Sequence, residues 1–298
     1  MHSVGWRLRT PPGSGAKVQV LRPASAQLTV RKATTLLLRP KQEQRYRQQR
    51  QFVRQAVDGR LPQHLLNSYH NHLLSTQRRL WHAVRWENQQ KEVWWRLVVQ
   101  GVPAAGGHGI CLRGACACGY AVPAEHHNKE SGADLQRRHV FWGCPVARAV
   151  VRELQRGLGG AERLQRFEVW LVHPPPYVHN LVWGAVCLAA VSAMEHGRKV
   201  LYAMRMADQE AAAATRAAGG RQATLLELWG MQRREVPLSA VERAAARAAA
   251  DFWCRVYDFV HASSADTALL AAVTSQSVLI GKDDQGRLCV NVPGMPAR

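Results

Sequence analysis

The chain has 298 residues, 47% of them hydrophobic and ten of them Trp, which supplies enough apolar material for a core and excludes a wholly disordered protein. Forty basic against twenty-one acidic residues leave a net charge of +19. That excess points to a polyanion, nucleic acid being the commonest, although a biased arginine composition that merely keeps the surface soluble has the same signature.

Residues 1–38 carry Arg7, Arg9, Lys17, Arg22, Arg31 and Lys32 around Pro11-Pro12-Gly13, with no helical or alternating apolar pattern, and are expected to form a basic disordered arm. No apolar core follows Arg7 and Arg9, so no secretory signal is read and the chain is expected inside the cell, nuclear or cytoplasmic. The lack of any acid before Glu43 also resembles an organellar transit peptide. Residues 1–60 hold thirteen Lys/Arg against Glu43 and Asp58, more than half of the chain's excess charge. Arg45, Arg47, Arg50 and Arg54, interleaved with Tyr46 and Phe52, are expected to neutralise phosphates while a ring stacks on a base.

Pro62 suits a helix start, and Leu66, Tyr69, Leu73, Leu80 and Val84 predict one buried stripe on a helix reaching about Trp86. A second helix, from Asn88 to about Gln100, places Val93, Trp94, Leu97 and Val98 inward. Trp81, Trp86, Trp94 and Trp95 are expected as core anchors rather than base-stacking platforms, since they lie on or beside apolar stripes.

Next come Cys111, then Cys116-Ala117-Cys118-Gly119, then His139-Val140-Phe141-Trp142-Gly143-Cys144-Pro145. Three thiolates and an imidazole are the soft donors of a closed tetrahedral zinc site, so Cys116, Cys118, His139 and Cys144 are the expected ligands, with Cys111 in reserve because Cys-x-Cys is tighter than the usual knuckle. A reducing compartment favours metal over disulfide. His108, His126 and His127 are expected in loops, and Cys187 and Cys254 in the core. Pro145 opens another helix with Val146, Val150 and Leu154 on one side, closed by Gly157, Gly159 and Gly160.

After the stiff Pro174-Pro175-Pro176 break, Val178 to Ala218 reads as helix, broken in two around Gly197 as one alternative. Its apolar run, Leu181 to Met194, is too short to span a bilayer and reads as a buried helix, so no membrane partner is expected. Ser239-Ala240-Val241-Glu242 is a capping box for a helix that buries Val241, Ala245, Ala248, Phe252, Val256 and Phe259. Two short strands, Val278–Ile280 and Leu288–Val290, flank a turn at Asp283-Asp284. That pair lacks the context of a polymerase metal site, and the hairpin turn accounts for it.

Signatures of zinc deaminases, zinc proteases, P-loop proteins and nucleophile-elbow hydrolases are missing, so a non-catalytic chain with no small-molecule substrate is expected. The predicted class is mainly α: an irregular helical assembly around a small zinc-stapled module, with a short C-terminal β-hairpin. The expected divisions are an arm to 38, a helical region 39–100, a zinc module 101–160, a helical region 161–275, and a hairpin with tail 276–298.

Cys116-Ala-Cys118-Gly119 and His139-Val-Phe141-Trp142-Gly-Cys144-Pro145, preceded by Trp94-Trp95-Arg96-Leu97, resemble the zinc-binding domain that follows reverse transcriptase in LINE-type, non-LTR retrotransposons, in particular divergent green-algal copies. The resemblance covers about Trp81 to Leu158. It implies a zinc module that helps grip RNA or DNA, in a fragment lacking the polymerase, with the four named donors on the ligand positions; Arg113, Arg137 and Arg138 are expected, with the first sixty residues, to supply phosphate contacts. Members usually carry an acidic residue and a Thr shortly before the His, where this chain has Asp134-Leu135-Gln136-Arg137-Arg138. The alternative is a helical protein-interaction scaffold in which zinc is purely structural.

Overall fold

The computed structural model describes residues 30–57, 62–99, 115–126, 130–160, 163–218, 238–274 and 276–291. The chain divides into two units, residues 1–47 and 48–298. Helix α1 is Val30–Ala56, so residues 30–38, expected within an irregular arm, are helical. Residues 1–29 of that arm lie outside the described residues.

In the second unit, helix α2 (Gln63–His82) buries Leu66, His70, Leu73, Thr76 and Leu80; of the expected stripe, Tyr69 is half-buried, and Val84, though buried, lies beyond the helix, which ends at His82 rather than near Trp86. Helix α3 (Asn88–Val98) buries Val93, Trp94, Leu97 and Val98. Helix α4 is Glu130–Arg138, and a π-helical turn, His139–Gly143, leads from it into α5 (Pro145–Gly157). Proline at the first turn of α5 costs no hydrogen bond, because amides there have no intrahelical acceptor. Gly159 and Gly160, at φ 89° and 70°, end that segment in the left-handed conformation. The short α6 (Arg166–Trp170) precedes the proline break.

Helix α7 (Asn180–Ala218) is continuous over 39 residues, without a break at Gly197. That glycine instead permits a close crossing: a Cβ there would lie 2.5 Å from the Ala248 Cβ and 2.7 Å from the Val146 Cγ1. Gly197→Ala is therefore expected to cost about 1–3 kcal/mol by overpacking, despite alanine's better helix propensity. A denaturant midpoint that rose in this variant would contradict the tight crossing. From Val182 to Met194 the helix is buried nearly all round, as a central element must be, whereas Ala203, Ala207, Asp208 and Glu210 are exposed.

Helices α3, α5 and α8 (Leu238–Ala262) pack on α7. Of the expected α8 stripe, Val241, Ala248, Phe252, Val256 and Phe259 are buried. Ala244 takes the place expected for Ala245, because four-residue steps from Ala248 fall one position earlier on the helix face. Cys187 is buried, but Cys254, expected in the core, is exposed two positions beyond Phe252 and so on the far side of the helix. Side chains at Leu238 and Ser239 are outside the described residues, so the capping box lies there too.

After α9 (Thr267–Ala272), β1 (Ile280–Lys282) pairs antiparallel with β2 (Leu288–Val290), Ile280 opposite Val290. The Asp283 carboxylate accepts from the amides of Gln285 and Arg287 at 3.0 and 2.8 Å, which is a turn, and Gly286 supplies φ 73°. The protein is thus mainly helical with a C-terminal hairpin. No described helix is long and apolar enough to cross a membrane.

Candidate metal centre

Ala115 and Ala121 form an antiparallel bridge, inside which the Cys116 amide donates to the Tyr120 carbonyl at 2.6 Å and the Gly119 amide to the Cys116 carbonyl at 3.0 Å. Gly119 at φ 96° closes this tight loop without a Cβ penalty. The compressed Cys-x-Cys spacing is accommodated by that turn, and Cys116 and Cys118 both belong to the cluster. Cys111 lies outside the described residues.

The other pair comes from the end of α4. Residues five apart on an α-helix point about 140° away from each other. Here the helix widens, the Cys144 amide bonding the His139 carbonyl at 2.6 Å, and Cys144 turns extended as the N-cap of α5. Val140 and Phe141, on the buried side of this turn, anchor it in the core. The Trp170 indole N–H donates to the Phe141 carbonyl at 3.3 Å. Gly132 lets α4 approach the preceding loop, since a Cβ there would lie 2.2 Å from the His126 carbonyl oxygen.

The four ligand atoms of Cys116, Cys118, His139 and Cys144 lie within 4.8 Å of one another. Nε2 of His139 faces the Cys118 sulfur at 3.1 Å. Its ring is stacked flat on Tyr120, centroids 3.9 Å apart and planes at 10°. Cys116 and Cys144 are each 1% exposed. Hydrogen bonds from the Cys116 and Cys144 thiols hold the Cys118 pKa well below the ordinary thiol value, against the effect of burial. Cys144 is pushed the other way by its bonds to Cys116 and Cys118, by burial and by negative charge on those sulfurs. The Cys118 and Cys144 thiols are thus pushed in opposite directions, and a dication would remove that conflict by letting the sulfurs ionise together. Donor set, proximity and burial all fit a structural metal ion.

The sequence-expected phosphate contacts divide. Arg45 and Arg47, in the first unit, are exposed. Arg54 and Arg138, in the second, are exposed too, and Arg50 donates to Asn67 Oδ1 at 3.2 Å. Arg113 lies outside the described residues. Arg137 corrects the expectation: it is 3% exposed, its guanidinium bonding the Leu97 carbonyl at 3.1 Å and Asp134 at 2.9 Å, so it ties α4 to α3 and has no reach to a phosphate. Phe52 likewise leaves the set of stacking rings. It is fully buried and stacked on Trp170, centroids 5.6 Å apart, whereas Tyr46 is exposed.

Two contributors escaped sequence reasoning. Tyr120 directly follows the Cys-x-Cys-Gly turn, a position that signals it only once the turn is known to face His139. Trp170 lies 26 residues beyond Cys144, the nearest ligand in sequence, and carried no sequence signal. Compared with family models, with curated proteins and with solved structures, the chain matches none.

Proposed function

We propose that the Cys116, Cys118, His139 and Cys144 cluster holds a structural zinc, and that the chain is a non-catalytic nucleic-acid-binding protein akin to the zinc domain of LINE-type retrotransposons. The convergence of three sulfurs and one imidazole within 4.8 Å carries this reading. Four protein donors fill a tetrahedral sphere and leave no position for substrate or activated water. The ion joins the Cys116–Cys118 turn to the π turn and so fixes the start of α5. Zinc rather than calcium or magnesium follows from thiolate donors, which hard cations reject.

The nucleic-acid part rests on the net charge of +19 and on exposed Arg45, Arg47, Arg54 and Arg138. A gel-shift titration on RNA and on single-stranded DNA across a salt series tests it. Affinity is expected to fall as salt rises, with a log–log slope of about −0.7 per phosphate neutralised on a single strand. Affinity that stayed level from low to high salt would end the phosphate-contact reading.

A further inference from the structure

Among the four tryptophans expected in the core, Trp94 is fully buried and Trp86 and Trp95 are half-buried. Trp81 breaks the expectation. It stands in the last turn of α2 and is 37% exposed. Its aromatic neighbours do not cover it flat: Trp94 lies 6.3 Å away at 48°, and Trp95 6.2 Å away at 76°, edge-on. Neither tryptophan is stacked parallel on the Trp81 indole.

Its surroundings are cationic. Arg78 lies one helical turn before Trp81, His82 beside it and Arg85 just past the helix end, all exposed. Steps of three and four residues place Arg78, Trp81 and His82 along one side of α2. Among the described residues Arg78 makes no ion pair. Arg85, with 76% of its side chain exposed, meets Asp266 only at 3.8 Å, and that carboxylate also caps α9 through the amides of Ala268 and Leu269. Glu87 is an exposed acid nearby in sequence. Helix α2 contains no Asp or Glu, and its outer face offers Asn67, Ser68, Asn71 and Ser75. A partly exposed indole on a helix that carries arginines and no acid of its own suits a ligand that is flat, aromatic and anionic by turns.

We infer that Trp81, flanked by Arg78 and Arg85, is a stacking platform for an unpaired base of single-stranded nucleic acid, with the guanidiniums on neighbouring phosphates. An indole stacks on any base, so the platform is indifferent to sequence, but a duplex keeps its bases out of reach. The inference rests on the nucleic-acid reading above, yet it uses none of the arginines on which that reading stands.

Fluorescence anisotropy with labelled oligo(dT), oligo(rU) and a DNA duplex, all on the full chain loaded with zinc, tests it. The unmodified chain is expected to prefer the single strands, and the stronger of the two identifies the polymer. Trp81→Ala should weaken single-strand binding by about five- to a hundredfold, the range for one lost stacking contact. Trp81→Phe should retain most of the affinity, and Arg78→Ala should make the salt slope shallower by about 0.7.

Folded Trp81→Ala with unchanged single-strand affinity overturns the platform, and if Arg45, Arg47 and Arg54 substitutions still weaken binding, the broader reading survives it. Failure of the unmodified chain to bind any oligonucleotide overturns both. Competition by polyglutamate as effective as by oligonucleotide shows an acidic-peptide surface instead and also overturns the platform. Should circular dichroism find Trp81→Ala unfolded, Trp81→Leu decides, since it fills space without a π-face: a loss of about fivefold or more supports the platform, and unchanged binding overturns it.

Discussion

Cys144→Ser is expected to lower bound zinc from about one per chain to near none and to unfold the segment around the ligands. Cys144 is 1% exposed and is the N-cap of α5, where its side chain makes no capping hydrogen bond. Serine is among the best N-cap residues, so the substitution leaves the helix start intact or improves it. What it removes is a thiolate, since a serine hydroxyl stays protonated near neutral pH and is a poor ligand for a soft ion. Structural zinc in small modules contributes about 10–16 kcal/mol. That is comparable to the whole stability of an ordinary domain, about 5–15 kcal/mol.

The loss should therefore show as faster amide exchange over residues 115–121 and 139–144, with α7 and α8 protected. Elemental analysis gives the metal, and hydrogen exchange gives the region. Cys254→Ser, at an exposed thiol outside the cluster, is the control and should keep its zinc. Equal metal content in the two variants would refute the ligand assignment. Chelation of the unmodified protein should reproduce the exchange pattern of Cys144→Ser.

Trp170→Ala should cost about 3–5 kcal/mol of stability and also weaken zinc binding. The ring is fully buried, stacked on Phe52 with planes at 6°, and lies under the Arg166 guanidinium at 5.3 Å. Its carbonyl accepts from the Trp94 indole at 3.0 Å while its own indole donates to the Phe141 carbonyl at 3.3 Å. Phe141 sits midway along the turn that sets His139 against Cys144. Losing that support should loosen the pair of ligands, and outer partners of metal ligands typically matter by about 10–100-fold in affinity.

Trp170→Phe separates the two effects. It keeps a six-membered ring against Phe52 but removes the donor, leaving the Phe141 carbonyl without that partner at about 1–3 kcal/mol, with a smaller cavity cost than Trp170→Ala for the lost part of the indole. Denaturant midpoints and competition with a chromogenic chelator measure both quantities. A destabilised Trp170→Ala that held zinc as tightly as the unmodified chain would show that the core and the metal turn are uncoupled.

The candidate ligands were legible because their chemistry is written in residue type and spacing: few arrangements other than a metal site gather Cys-x-Cys and His-x4-Cys on glycine-flanked turns. Pro145 at the head of α5, the stripe of α2 and the Asp283 turn were legible for a related reason, since each is fixed by backbone geometry within a few residues. How a Cys-x-Cys pair could reach its partners was not. It required a π turn, whose five-residue bond has no reliable mark in the sequence.

Sequence by itself determined the mainly helical class, the hairpin, the donor set and the excess of positive charge. Only the tertiary structure decided which side chains remain available. Arg137 and Phe52 look like surface contacts until Asp134, Leu97 and Trp170 enclose them, and Trp81 looks like core until α3 leaves it partly uncovered. Gly197 leaves one helix or two open until α8 crosses against it. Periodicity specifies the direction in which a side chain leaves its own helix, but exposure depends on how far the neighbouring element extends over it, and that is a property of packing between segments distant in the chain.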